Sequence, residues 1–435
     1  MRSAIVLTAA TAAVGSALLQ SPSDGTALSG NVTRQTDFMI ANTTAPWGTT
    51  YACFRVPTAV TTADGTIVVL AESRIGDCGD QAPKDITSRR SADGGLTWSD
   101  LQLVVGPTAH SPNASSSDPD FTARNPYATL LPNGTIILEW VNSTDAKNCK
   151  NMQQSSDDTG ATWTEPVEKD FGKWEGVLFG PGTGIVLGTA DPSSPHKGRV
   201  LACGATGYVG GMPMVLPIYY SDDNGDTYTE AGGSAPFSEL QECQLVELND
   251  GSVMVNARNS HLNKTCNCRA VATSTDGGET WSDYSFVPDL VEPVCSAGLI
   301  NVDGSLYFSN PASATARVNM TLKRSDDGGN SWQEVALVFG GMSEYSVLID
   351  MTNTNNGTTS DQCRGVITSG TRPGQDYASI KMNSSTPTAE ECQEICCNDE
   401  RCETFVFVPD GLYPQRPPGT FCWLKEAAIP LKGDT

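Results

Sequence analysis

Three histidines in 435 residues, His110, His196 and His261, leave little material for a Ser-His-Asp triad or a histidine-rich zinc site. Positive charge is also scarce. The chain carries 27 Lys and Arg against 50 Asp and Glu, for a formal net charge of -23. With no long basic run to offset it, nucleic acid would be repelled over most of the surface and is not an expected partner. Any basic residues that the fold gathers therefore become a candidate anion site. There is no Walker loop, and Gly180-Pro181-Gly182-Thr183-Gly184 lacks the spacing and following helix of a nucleotide loop, so it reads as a strand-linking turn. Helical periodicity is almost absent.

The longest apolar run is at the start. Arg2 precedes Ala4 to Leu19, and polar Gln20, Ser21, Pro22 and Ser23 follow, the layout of a secretory signal over residues 1–20. The run is too short and Ala-rich for a membrane anchor, and no other stretch reaches spanning length. A secreted or luminal protein without a membrane span is expected. Fourteen cysteines fit an oxidising compartment. They fall into two even groups, eight from Cys53 to Cys295, then Cys363, Cys392, Cys396, Cys397, Cys402 and Cys422. Glycosylation sequons beginning at Asn31, Asn42, Asn113, Asn133, Asn142, Asn263, Asn319, Asn356 and Asn383 agree with that route.

One pattern recurs five times. It runs Ser91 to Trp98, Ser156 to Trp163, Ser221 to Tyr228, Ser274 to Trp281 and Ser325 to Trp332, each time Ser-x-Asp-x-Gly-x-Thr/Ser-aromatic. The spacing is that of propeller blades, about 40 to 65 residues. Asp and Ser side chains bond nearby amides, Gly accepts positive φ and the aromatic packs beneath, so each box reads as a structural hairpin turn rather than a calcium loop. Short apolar or alternating runs follow turn signals at Asp64-Gly65, Asn133-Gly134 and Asp250-Gly251. The main domain is all-β.

Near Asn353 the composition shifts to Asn, Thr, Gly and Ser, a linker over 353–362. Residues 363–425 then show a short capped, cysteine-bearing helix from Thr388 and a strand at Thr404 to Val408. This segment resembles a PAN/apple module, a small disulfide-rich α+β unit that binds glycan or protein; fifteen cysteine pairings stay open.

Phe54-Arg55-Val56-Pro57, together with the five boxes in order, resembles the sialidase (neuraminidase) family over roughly residues 34 to 350. The resemblance implies a six-bladed β-propeller, here residues 33–352. It maps a triad of carboxylate-binding arginines onto Arg55, Arg258 and Arg317, which suits guanidinium chemistry because each forks two donors toward planar oxygens. Asp80 matches the family's acid/base, with Asp77 and Asp85 as rivals. Tyr345 matches the nucleophile and Glu242 its partner, while Arg74 and Asn125 match residues near the sugar ring. Trp140 reads either as a wall of the pocket or as packing between blades. A neutral phenol suits an anomeric carbon that bears a carboxylate, where an anionic nucleophile would be repelled.

The implied activity is a retaining exo-α-sialidase acting on sialylated glycoproteins, glycolipids or oligosaccharides, without metal or cofactor. The sequence departs from the family after Tyr345. Only Ser346 to Met351 remain before the linker, so the sixth blade is expected either to be short or to draw on Thr33 to Ala41, and Arg55 lacks the usual downstream glutamate. A glycan-binding adhesin and a trans-sialidase are the alternatives.

Overall fold

The computed structural model describes residues 39–351 apart from 96, 107–121, 144–148, 175, 190–191, 207–213 and 260–265; elsewhere it describes only the backbone of strand segments within 3–34 and 376–425. Residues 2–355 and 356–435 form separate compact units. Among the described residues, no helix is long and apolar enough to cross a membrane.

Five antiparallel sheets follow one another along the first unit in a propeller-like arrangement. Each has an interior strand flanked on both sides, namely Ile67–Ile75, Ile136–Ser143, Val200–Ala205, Val253–Asn259 and Ser305–Pro311. Burial explains the sequence pattern, since Ile67 to Arg74 is buried without a break and such a strand is covered on both faces. Each sheet packs on the next. Val68 and Leu70 of the first meet Ile136, Leu138 and Trp140 of the second. Leu201 and Cys203 of the third meet Val253 and Val255 of the fourth, and Met254 meets Leu306 and Phe308 of the fifth. Trp140 is fully buried in this packing, its Nε1 donating to Gln154 at 3.2 Å, so it packs between blades. Truncation there to Ala costs about 3–5 kcal/mol.

The strand after Tyr345 does not stand alone. Ser346–Asp350 pairs with Ser3–Ala10, which pairs with Ala13–Gln20, and Val32–Arg34 and Met39–Ile40 pair with that strand in turn. The apolar run that reads as a leader thus occupies two strands here. Val347 and Ile349 pack with Tyr51 and Phe54 of the first sheet, and Leu348 packs with Leu322 of the fifth.

The boxes are turns built as their chemistry requires. In the fourth, Ser274 Oγ donates to Asp276 at 2.7 Å, Gly278 N donates to Ser274 Oγ, and Asp276 accepts from Thr280 N at 2.9 Å. Trp281 closes the turn through Nε1 to Gly278 O at 3.1 Å. Side-chain and backbone donors from Thr162 and Ser331 hold Asp158 and Asp327 down to about 2, so these carboxylates are occupied with their own loop. Gly180 to Gly184 includes a short strand, Gly182–Thr183, lying parallel to Ala123–Leu130.

In the second unit, Asp376–Lys381, Phe421–Lys425 and Thr404–Val408 form a three-stranded sheet. The expected helix, the linker and the six cysteine side chains lie outside the described residues.

Candidate active site

The innermost strands of three sheets are interrupted where the candidate residues sit. Pairing slips between Arg55 and Thr58, between Arg124 and Tyr127, and between Leu240 and Cys243. Such bulges re-aim side chains, and each lies at a cleft of about 270 Å³, small for a ligand site. Val56 and Asn125 hold the positive φ values these bulges demand, 52° and 49°. For β-branched Val56 that conformation is strained by roughly 1–2 kcal/mol, a cost the rigid scaffold around it offsets.

Arg55, Arg74, Asp80, Asn125, Glu242, Arg258, Arg317 and Tyr345 all line this one cleft. The Tyr345 hydroxyl donates to Glu242 Oε1 in a short hydrogen bond. Arg258 Nη1 donates to the other Glu242 oxygen at 2.7 Å and lies 3.5 Å from the Tyr345 oxygen. Arg55 and Arg317 stand over the Tyr345 ring, 5.9 and 5.7 Å from its centroid. Burial and the Glu242 carboxylate push the phenol well above its ordinary range, and Arg258 offsets them only in part. Tyr345 therefore stays protonated until its proton can pass to Glu242.

The absent downstream glutamate has a counterpart one residue upstream of the tyrosine. Glu344 ion-pairs with Arg55, and its other oxygen lies 3.4 Å from Arg317 Nη1. Arg55 is thus supported, contrary to the expectation from the short chain end. At the Tyr345 end three guanidiniums meet two carboxylates, Glu242 and Glu344, and elsewhere the cleft is lined by Arg74, Lys84 and Arg124 against Glu72 and Asp80, so positive charge is in surplus for an anionic group.

In the same cleft, Arg74 Nη1 donates to Asp80 at 2.9 Å. Although the Asp80 side chain is largely exposed, the protein around it costs the carboxylate some solvation and pushes it up; Arg74, Arg55 and Lys84 outweigh this and leave it below its usual range. Of the rivals, Asp85 is buried against the Tyr51 hydroxyl at 2.5 Å, and exposed Asp77 accepts from Gly79 N at 2.7 Å. Neither lines the cleft.

The motifs do not single out Glu72 or Lys84. Glu72 is buried and accepts from Arg74 Nη2 at 2.8 Å and from Asn125 N at 3.0 Å, joining two of the candidate residues. Lys84, also buried, donates to the Asp80 carbonyl at 2.7 Å; its burial, partly relieved by Glu72, lowers it to about 8. The available signal for Glu72 was its place two residues before Arg74, on the same face of one strand. Among the described residues, no group of His, Cys, Asp and Glu is placed to hold a metal.

A family model described as a BNR repeat-like domain matches residues 65–358, more than half of the chain. The chain belongs to that family. A PAN domain model matches residues 371–425 downstream of the BNR repeats. Curated relatives of this BNR-repeat protein include a sialidase of Micromonospora viridifaciens, 29% identical over 319 residues, or 68% of this chain and 47% of the relative. Another is a sialidase of Bacteroides fragilis (strain YCH46), 28% identical over 339 residues, or 69% and 56%. The chain spans about half the length of these relatives. Among solved structures, Hadza microbial sialidase Hz136 matches the BNR-repeat fold with a TM-score of 0.59 at 24% identity, over 79% of this chain and 70% of that one.

Proposed function

We propose that this BNR-repeat protein is a retaining exo-α-sialidase that releases terminal sialic acid, or a related nonulosonic acid, from sialylated glycoproteins, glycolipids or oligosaccharides. The observation that carries the proposal is the Tyr345–Glu242 hydrogen bond, with Arg55, Arg258 and Arg317 around it and Asp80 lining the same cleft.

In this reading Arg55, Arg258 and Arg317 hold the substrate carboxylate, which the positive surplus of the cleft favours. Tyr345 attacks the anomeric carbon as its proton moves to Glu242, forming a covalent intermediate. Asp80 protonates the departing oxygen and then activates water to release the sugar. A carboxylate seated on Arg55 also offsets one of the charges that hold the Asp80 carboxyl low, which favours the protonated acid once substrate is bound.

Six blades are proposed for the propeller, Ser346–Asp350 with the N-terminal strands forming the last. Export, glycosylation and glycan or protein binding by the PAN domain complete the proposal. Transfer is a second reading, favoured by a relative named an anhydrosialidase from Macrobdella decora, 35% identical over 145 residues but only 29% of this chain.

A fluorogenic aryl sialoside tests the proposal directly. Turnover supports it, analysis of the released sugar with and without lactose separates hydrolysis from transfer to an added acceptor or to the sugar's own hydroxyl, and binding of sialosides without release of sugar would replace the enzyme with an adhesin.

A further inference from the structure

Asp80 is held in an unusual way for a group given acid/base work. Its side chain is 83% exposed, so packing does not fix it. It stands in the loop between strands Ile67–Ile75 and Lys84–Ser91, which is closed at its base by Ile75 N donating to Pro83 O at 2.8 Å. Within the loop, Cys78 forms a disulfide with Cys53. Cys53 is fully buried on strand Thr50–Thr61, two residues before Arg55, and Cys78 is half-buried, two residues before Asp80. The cross-link therefore joins the strand that carries an arginine of the triad to the loop that carries the acid. Arg74 Nη1 bonds the Cys78 carbonyl at 2.6 Å as well as the Asp80 carboxylate, so the same guanidinium reads the positions of both.

We propose that the Cys53–Cys78 disulfide is a positioning device for Asp80, holding the acid at its working distance from the arginine site; the proposal rests on the sialidase reading. Without the cross-link, the loop keeps its bonds from Arg74 and Lys84 to backbone carbonyls but is free to shift, and a misplacement of about 1 Å costs a catalytic group up to roughly 100-fold. The loss falls on the step that needs Asp80. Arg258, Arg317 and the Tyr345–Glu242 pair lie on other elements and stay intact, and Arg55 keeps its place on a strand paired with Ile67–Ile75 and its ion pair with Glu344.

The test is the double variant Cys53→Ala with Cys78→Ser. The rate on sialosides with poor leaving groups is expected to fall about 100-fold, against less than about 5-fold on activated aryl sialosides, with binding of an unsaturated sialic-acid analogue within about 2-fold. A merely structural cross-link would lower both substrate classes together. Equal loss on both, or no loss on either, overturns the proposal.

If the variant does not fold, the same comparison is made on the parent after brief treatment with a water-soluble phosphine. Phosphorus supplies two electrons, the disulfide becomes two thiols with protons from water, and the phosphine leaves as its oxide. The half-buried Cys78 is reached before the Cys203–Cys243 disulfide, whose two residues are buried. Cys266–Cys268, which also has a half-buried member, is exposed to the same reagent, so alkylation and mass analysis identify which bonds have opened, and the parent is compared with a Cys266→Ser, Cys268→Ser variant. A readout independent of turnover is the Asp80 carboxyl resonance, which should titrate higher once the cross-link is gone and Arg74 no longer holds it. An unchanged titration overturns the proposal even if the parent releases no sugar, an outcome that would sink the sialidase reading separately.

Discussion

Glu344 bridges Arg55 and Arg317, one carboxylate oxygen to each, from the position immediately before Tyr345. Two like-charged guanidiniums are thereby held side by side before any ligand arrives. Glu344→Gln keeps the shape and removes the charge. The expected result is a KM on sialosides raised about tenfold, equivalent to ~1.4 kcal/mol, with kcat within a few-fold of the parent. Tighter binding in the variant would mean instead that Glu344 competes with the substrate carboxylate.

Asp80 and Tyr345 have separable jobs. Asp80→Asn removes acid/base help, which typically contributes about 100- to 10,000-fold, yet leaves the arginines in place. Rates on sialosides with poor leaving groups should drop far more than rates on aryl sialosides, whose leaving groups need little protonation. Tyr345→Phe should depress both, because the intermediate needs the phenolic oxygen. Equal slowing of both classes by Asp80→Asn would show that Asp80 is not the acid.

The repeats and the site were legible in the sequence to different degrees. A box such as Ser274 to Trp281 carries its own hydrogen-bond plan, since every partner lies within a few residues, and its turn follows from local chemistry. Asp80 and Arg74 were legible because they lie close in the chain, Arg74 near the end of a strand and Asp80 in the loop that follows it. Glu344 was not, because its partners Arg55 and Arg317 lie far apart in the chain, and the order of residues does not show which carboxylate meets which guanidinium. Ala4 to Leu19 was ambiguous for a different reason. An apolar run of that length satisfies both a leader and a pair of strands.

Glu139 should make stability depend on pH. It is buried between the second and third sheets, accepts from the Tyr228 hydroxyl, and burial raises it to about 7 despite that bond. Because the folded form holds the proton more tightly than the unfolded chain, this contribution is present below the ordinary value of 4.5 and is lost as pH rises through about 7. The shift is worth on the order of 3 kcal/mol. Thermal unfolding at pH 5 and pH 8 should show a smaller loss in Glu139→Gln than in the parent. Parallel losses in the two proteins would mean that Glu139 ionises without strain.

Arg269 supports the Glu242 side of the cleft without touching it. Fully buried, it donates to Asn256 Oδ1 at 2.7 Å, to Glu292 and the Cys295 carbonyl at 2.9 Å, and to the Glu242 carbonyl at 3.4 Å. Glu292 in turn accepts from Asn259 N at 2.6 Å, beside Arg258. Arg269→Lys keeps the charge but not the planar fork, so it can retain the pair with Glu292 only by giving up the carbonyls. Disturbing a buried pair of this kind costs up to about 3–5 kcal/mol, so the unfolding temperature should fall. A positioning role makes a further demand. Glu242 takes the Tyr345 proton whatever the leaving group, so kcat should drop about tenfold or more on aryl and poor-leaving-group sialosides alike, in contrast to the selective loss from Asp80→Asn. A variant that is less stable but keeps the parent's kcat on both would confine Arg269 to the core.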